Sequence, residues 1–371
     1  MPNPFAYGSR ITDPTRFVGR TAELRRVFGT LDTAHTGQLQ SVSVVGPRRI
    51  GKSSLLYHIY QTYPSRITNP NHYIFAYAEM KSGQYSTLDG LLKGLLAALH
   101  ASTPKAHTKL LRVLEKGAND PTLTLAEFET AFKAFQTADT PLYPILCLDE
   151  FENLTDHPTV FPDTLYDSLR SLMNASQLAL VIASATPLHD IKAQSEKLTS
   201  PFFNIFSDFI ELGDLTELEA WDLIKWGKKC DRPFSDEDCT QALKLAGTHP
   251  LKIQLAGKLV YEAKASPEMD WKSVQKDFER TTKQIFSSRK APQTRWEKFS
   301  HFVFFRIPHA LGHVTFLLSK SPTDNAKNNQ LMGAILLMVL LPAVIAISWF
   351  GYMPLFISLL ALFIVTRLFK S

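Results

Sequence analysis

Gly46-Pro47-Arg48-Arg49-Ile50-Gly51-Lys52-Ser53 decides the fold. It fits the phosphate-loop pattern of two glycines with four residues between them, followed by Lys-Ser. The residues before it, Ser41 to Val45, are rich in apolar β-branched side chains, and Ser54-Leu55-Leu56-Tyr57-His58-Ile59 follows with helical spacing. The loop is therefore expected between a strand and a helix, the context its mechanism requires. Glycines let the backbone turn its N–H groups onto phosphate oxygens, and the helix beginning near Gly51 adds its positive end. Lys52 is expected on the β- and γ-phosphates, and the Ser53 hydroxyl at a magnesium position. Gly46, Pro47, Arg48, Arg49, Ile50, Gly51, Lys52, Ser53 and Ser54 form the expected nucleotide-binding loop.

Working outward, Tyr143-Pro144-Ile145-Leu146-Cys147-Leu148 is a short apolar run that ends in Asp149-Glu150. Two adjacent carboxylates at a buried strand end call for a cation or solvent, because uncompensated burial of charge is costly. Asp149 is expected to hold magnesium through water, and Glu150 to orient or deprotonate the water that attacks the γ-phosphate. ATP and Mg2+ are the implied cofactors.

Tyr73 to Ala78, Leu178 to Ala183 and Phe209 to Leu212 read as further strands. Leu88 to Leu99, Leu125 to Phe135 and Leu165 to Met173 carry apolar residues at helical spacing between them, the alternation of a parallel sheet covered by helices. The polar, basic stretch Thr103 to Thr122 is expected to add a helix between the second and third strands. After Gly213 the strands stop. Glu217 to Lys228, Ser235 to Leu245 and Pro250 to Ala263 read as helices of a small lid, with Pro250 in a first turn and Thr248 or His249 as its cap.

With 371 residues the chain has room for two domains and a tail. Its three cysteines, Cys147, Cys230 and Cys239, have no metal-binding spacing, and are expected as reduced core residues in a cytosolic compartment. The first residues lack the charged start and apolar core of a cleavable signal. Leu331 to Thr366 contains no charged residue. As one helix this run would extend about 54 Å, against a hydrocarbon core of roughly 30 Å. Gly351 and Pro354, among Trp349, Phe350 and Tyr352, offer a break. Two spans follow, about Leu331 to Trp349 and Tyr352 to Leu368, with both ends on the cytosolic side; competing readings are one tilted span and a buried apolar hairpin in an oligomer. Residues 1 to 270 hold 27 Lys plus Arg against 31 Asp plus Glu, whereas residues 271 to 330 hold 11 against 4. That surplus, with Trp296, Phe299, Phe302, Phe304 and Phe305 among it, suits anionic lipid headgroups; nucleic acid and a solvated helix face are the alternatives.

Phe17-Val18-Gly19-Arg20-Thr21-Ala22-Glu23-Leu24, the loop with the Ser54-Leu55-Leu56 that follows it, Ser200-Pro201-Phe202-Phe203-Asn204 and Gly247-Thr248-His249-Pro250 resemble the STAND and archaeal-type ATPases of the AAA+ group, over roughly residues 3 to 265. The resemblance implies base-side contacts from Val18, Gly19 and Arg20, and nucleotide sensing from the lid by Thr248, His249 and Pro250. It also implies that Ser184 or Thr186, at the end of the fourth strand, watches the γ-phosphate. An arginine after Ser184, an arginine finger, repeat arrays and an appended effector domain, all found among relatives, are not recognisable here. Slow turnover is the expectation.

The expected architecture is α/β: a P-loop NTPase core with a parallel sheet at residues 1–214, a helical lid at 215–290, a basic-aromatic juxtamembrane linker at 291–328 and a transmembrane helical hairpin at 329–371. The chain is expected to be a membrane-anchored ATPase switch whose output is conformational or oligomeric; a hairpin that disturbs the membrane when the ATPase assembles, a nucleic-acid initiator or loader, and a non-hydrolysing ATP-bound scaffold are the alternatives. Expected partners are the lipid bilayer, further copies of the chain and an unidentified protein, with nucleic acid not expected.

Overall fold

The computed structural model describes residues 3–138, 141–187, 200–266 and 269–287. In chain order its main elements are α1 (Thr21–Leu31), β1 (Val42–Val45), α2 (Lys52–Thr62), β2 (Tyr73–Glu79), α3 (Leu88–Ser102), α4 (Thr108–Asn119), α5 (Leu125–Gln136) and β3 (Tyr143–Asp149). They continue with α6 (Glu152–Thr155), α7 (Asp163–Asn174), β4 (Ala179–Ser184), β5 (Asp208–Glu211), α8 (Glu217–Ile224), α9 (Asp236–Ala246), α10 (Pro250–Ala263) and α11 (Trp271–Phe286). Several helix starts are written locally. Thr124 with Glu127, Thr216 with Glu219 and Ser235 with Asp238 each form a reciprocal capping box, at α5, α8 and α9.

Among the described residues the sheet has five strands in the order β2-β3-β4-β1-β5, all parallel neighbours. β1 and β4 are buried throughout, as strands covered by helices on both faces must be. Alternation then assigns side chains to opposite faces. Ile74, Ala76, Leu146, Leu148, Leu180 and Ile182 pack with α3, α4, α5 and α7. Val42, Val44, Phe75, Ile145, Cys147 and Val181 pack with α1 and α2. Since β1 lies between β4 and β5 while its chain crosses over to β2, its carboxyl end opens a crevice. In open α/β sheets that is where ligands bind.

After β5 the described chain is helical, as expected, through α8, α9, α10 and α11. An amino-terminal strap, residues 3–16, lies along it: Phe5 stacks on Phe234, and the Ala6 amide donates to Gln254 Oε1 at 3.1 Å. A Cβ on Gly257 would come within 2.6 Å of the Phe5 ring, so α10 needs glycine there for the strap to seat. All three cysteines are free and buried. Among the described residues no helix is long and apolar enough to cross a membrane. The predicted linker and hairpin, at 291–328 and 329–371, lie outside the described residues.

Candidate nucleotide site

β1 delivers the chain straight into the phosphate loop. Gly46 has no room for a side chain, because a Cβ would stand 2.7 Å from the Leu212 carbonyl oxygen just past β5. Ile50 is buried and anchors the loop from below, while Pro47, Arg48 and Arg49 face solvent. Gly51, at φ +103°, turns the chain into α2, whose first residues are Lys52, Ser53 and Ser54. Arg49 holds a left-handed φ of +70°, a conformation that costs a side-chain-bearing residue free energy and tends to occur at functional sites. The Lys52 ammonium donates to the carbonyls of Gly46 at 2.7 Å and Pro47 at 3.0 Å. Burial pulls its pKa below the usual lysine value, opposed by Glu152 and then Asp149.

On the opposite lip β3 ends at Asp149, which is 2% exposed. Its carboxylate accepts from the Tyr77 hydroxyl at 2.8 Å and from the Glu150 amide at 3.0 Å. Glu150 is also left-handed, at φ +53°, and pairs with Lys81 at 2.6 Å on the partly exposed rim. Glu152, in the first turn of α6, accepts from the Ala185 amide at 3.3 Å. Ser184, fully buried at the end of β4, sits in register with Val45, and its hydroxyl donates to the Thr186 carbonyl at 2.7 Å. The carboxyl ends of β1, β3 and β4 thus bring Lys52, Asp149 and Ser184 to one edge of the sheet. Ser53 offers a hard oxygen donor and Asp149 a carboxylate that can hold a metal-bound water, which suit a magnesium ion that takes its other ligands from phosphates and water.

The Phe17-to-Leu24 box is a buckle. The Arg20 guanidinium, on a residue 5% exposed, donates to the carbonyls of Gly213 at 2.7 Å and Ile50 at 3.3 Å, and pairs with Glu23 at 3.1 Å. The Arg20 amide donates to Glu219 Oε1 at 2.6 Å, so the residue that completes the α8 capping box also grips the box. Gly19, at φ +76°, lets that carboxylate approach; a Cβ would stand 2.9 Å from it. Val18 is half-buried. The expectation of base contacts thus meets an Arg20 side chain already bonded to the loop and to the β5–α8 hinge. His249 precedes Pro250, the first residue of α10, but its side chain makes no capping bond. His249 thus takes the N-cap position, one of the two expected, without a side-chain bond, in keeping with histidine's absence from the residues that cap well. The Thr248 carbonyl instead accepts the Leu215 amide at 3.0 Å, tying α10 to the hinge.

Ser54 does not point into the loop; its hydroxyl accepts the Ile11 amide of the strap at 3.0 Å. Behind it on α2, His58 stacks on Phe17 with ring centres 4.1 Å apart, and its Nδ1 is buried with no partner. Burial and the nearby Arg66 push its pKa down to about 4. The fold therefore holds His58 neutral: its contribution is complete above the unfolded value near 6.5 and is lost as pH falls toward 4. His58→Phe, which keeps the stack, should remove of the order of 2 kcal/mol of acid-induced destabilisation across that window, allowing for solvent screening. Denaturant melts of both proteins at pH 7 and pH 4.5 check this; an unchanged difference between the two pH values would count against it.

Tyr77, Lys81, Glu152 and Arg10 were not marked by the sequence. Glu152 had a signal, since Asp149, Glu150 and Glu152 form an acidic run. Tyr77 and Lys81 reach the site through the pairing of β2 with β3, and Arg10, in the strap, through its bond to the Tyr77 hydroxyl; no local pattern announces either.

Residues 16–182 match the AAA ATPase domain family. No curated protein sequence matches the chain. Among solved structures, a Walker-type ATPase of Pyrococcus abyssi shares the fold at 14% identity, over 88% of this chain and 91% of that one, with a TM-score of 0.55. The ORC2 protein of Aeropyrum pernix, solved with ADPNP and ADP, does so at 13% identity, over 90% and 80%, with a TM-score of 0.51.

Proposed function

We propose that this chain, whose residues 16–182 form an ATPase domain of the AAA+ type, is a slow ATP-hydrolysing switch of the STAND kind, tethered to a membrane by residues 329–371. Its output would be assembly with further copies or engagement of a protein partner. The observation that carries the nucleotide half is the meeting of Lys52, Asp149 and Ser184 at one sheet edge. The membrane half rests on the charge-free run from Leu331 to Thr366 and the basic surplus before it.

In this reading ATP replaces the Gly46 and Pro47 carbonyls as the partner of Lys52, and the amides at the start of α2 meet the same phosphates. Magnesium, ligated by Ser53 and reached through water by Asp149, would neutralise charge between the β- and γ-phosphates. Glu150 takes the proton of the attacking water, on the oxygen that Lys81 leaves free. Ser184 and Thr186, at the carboxyl end of β4, would follow loss of the γ-phosphate. The buckle of Arg20 and Glu219 supplies a route from the loop to the lid.

A second reading, a nucleic-acid initiator or loader, is favoured by the same basic surplus at 271–330, since phosphodiester and lipid phosphate attract lysine and arginine alike. Nucleic acid, not expected from the sequence, is therefore part of the test. Deleting residues 329–371 should move the protein from the membrane pellet to the soluble fraction while ATP hydrolysis persists. Retention in the pellet would sink the anchor. Salt-sensitive binding of the full-length protein to duplex DNA, with none to anionic vesicles, would favour the second reading.

A further inference from the structure

We propose that Tyr77 and Arg10 are positioning residues for Asp149, and that through them the amino-terminal strap sets the magnesium affinity of the site. The assignment rests on Asp149 as the magnesium-side carboxylate.

The hydrogen-bond directions are forced. A carboxylate accepts only and a guanidinium donates only. The Tyr77 hydroxyl, 2.8 Å from Asp149 Oδ2 and 3.0 Å from Arg10 Nη1, must therefore give its proton to Asp149 and accept from Arg10. With the Glu150 amide on Oδ1, both Asp149 oxygens are tied, and the carboxylate plane is fixed while lone pairs remain for a metal-bound water. Arg10 is itself held in place. Its guanidinium lies 4.6 Å from the Tyr57 ring centre and 4.8 Å from that of Tyr77, and pairs with Glu79 at 3.1 Å. Tyr57 belongs to α2, Tyr77 and Glu79 to β2.

The next strap residue closes the arrangement from the other side. The Ile11 amide donates to the hydroxyl of Ser54, the neighbour of Ser53. Two consecutive strap residues thus hold the helix that carries the hydroxyl ligand and, through Tyr77, the strand that carries the carboxylate. The strap's other end is seated on the lid at Gln254, Gly257 and Phe234, so lid position and metal geometry share one piece of chain. An ion pair as exposed as Arg10 with Glu79 contributes little to stability by itself. Fixing the carboxylate that holds a metal-bound water, by contrast, acts on the metal itself, and outer-shell groups of this kind change metal affinity by at least about tenfold when removed.

The test is ATP hydrolysis by the full chain, titrated with Mg2+, in wild type, Tyr77→Phe, Arg10→Ala and Arg10→Lys. Tyr77→Phe should raise the half-saturating Mg2+ concentration about tenfold, with kcat at saturating Mg2+ and ATP binding in EDTA little changed. Arg10→Ala should shift it in the same direction by less, and Arg10→Lys should recover part of the loss. A wild type that hydrolyses no ATP at any Mg2+ concentration overturns the functional reading and this assignment with it. A wild type that needs Mg2+, beside Tyr77→Phe and Arg10→Ala that need no more of it, overturns the assignment alone. Should Tyr77→Phe fail to fold, the Arg10 pair decides between these outcomes.

Discussion

Glu150→Gln leaves ATP bound and slows its hydrolysis by about two to four orders of magnitude, the range lost when a positioned general base is removed. Glutamine keeps the shape and can still hydrogen-bond, but it cannot take a proton from water. The location of Glu150 argues for the assignment: it follows a strand whose last residue is buried, and its backbone is held at φ +53°. An unfavourable conformation persists only where the surroundings impose it. Here its own amide is tied to Asp149 Oδ1 and its side chain is turned toward Lys81. Binding of a fluorescent ATP analogue and single-turnover phosphate release separate the two effects. A Glu150→Gln protein that retains more than a tenth of the wild-type rate would remove Glu150 from the chemistry.

Lys81 adds a consequence for rate. Its ammonium holds Oε1 of the Glu150 carboxylate and leaves Oε2 to a water; where the carboxylate must turn to meet that water, the rim ion pair opens. Such pairs are weak, with a median near 0–1 kcal/mol, and opening this one is a small part of any slowness. An arginine after Ser184 and an arginine finger, neither recognisable in the sequence, would be the larger part, since a donor aimed at developing charge is commonly the main electrostatic contribution to rate.

Local pattern carried much of the architecture. β1, β2, β3 and β4 read as apolar runs, because a parallel sheet covered on both faces leaves them little polar character, while the edge strand β5 read as a shorter apolar run although it is only partly buried; the loop's residue types are dictated by its own backbone. The helix at Thr108–Asn119 was also legible, from a polar stretch with apolar residues that seat Leu110 and Leu114 in the core. What stayed hidden depends on register between distant segments. Tyr77 meets Asp149 because Glu79 pairs with Asp149 across β2 and β3. Arg20 reaches Gly213 because β5 lies beside β1. A motif marks a residue as polar and near the loop, but whether its donors face the ligand or the protein is settled by backbone carbonyls that carry no sequence signature. Arg20 shows the difference: the box is legible, and its bonds to Gly213 and Ile50 are not.

Lys52→Ala should abolish the stabilisation that ATP confers while leaving the nucleotide-free protein nearly as stable as wild type. At ATP one hundred times its dissociation constant, a ligand that binds only the folded state adds about 2.7 kcal/mol, roughly 5–10 °C of melting temperature for a unit of this size. Without nucleotide two effects oppose each other. The Gly46 and Pro47 carbonyls lose a donor, which costs about 1 kcal/mol per hydrogen bond; Pro47 is exposed, so water takes over there. Against this, the variant no longer holds an ammonium in a place where burial disfavours its charge. A charge kept against that cost is explained by an anion still to come, and phosphate is the anion for which the glycines and the start of α2 are arranged. Thermal melts of both proteins with and without ATP give the answer. If Lys52→Ala is stabilised by ATP as strongly as wild type, the phosphates bind elsewhere, and the site at Gly46 to Ser53 is not the nucleotide site.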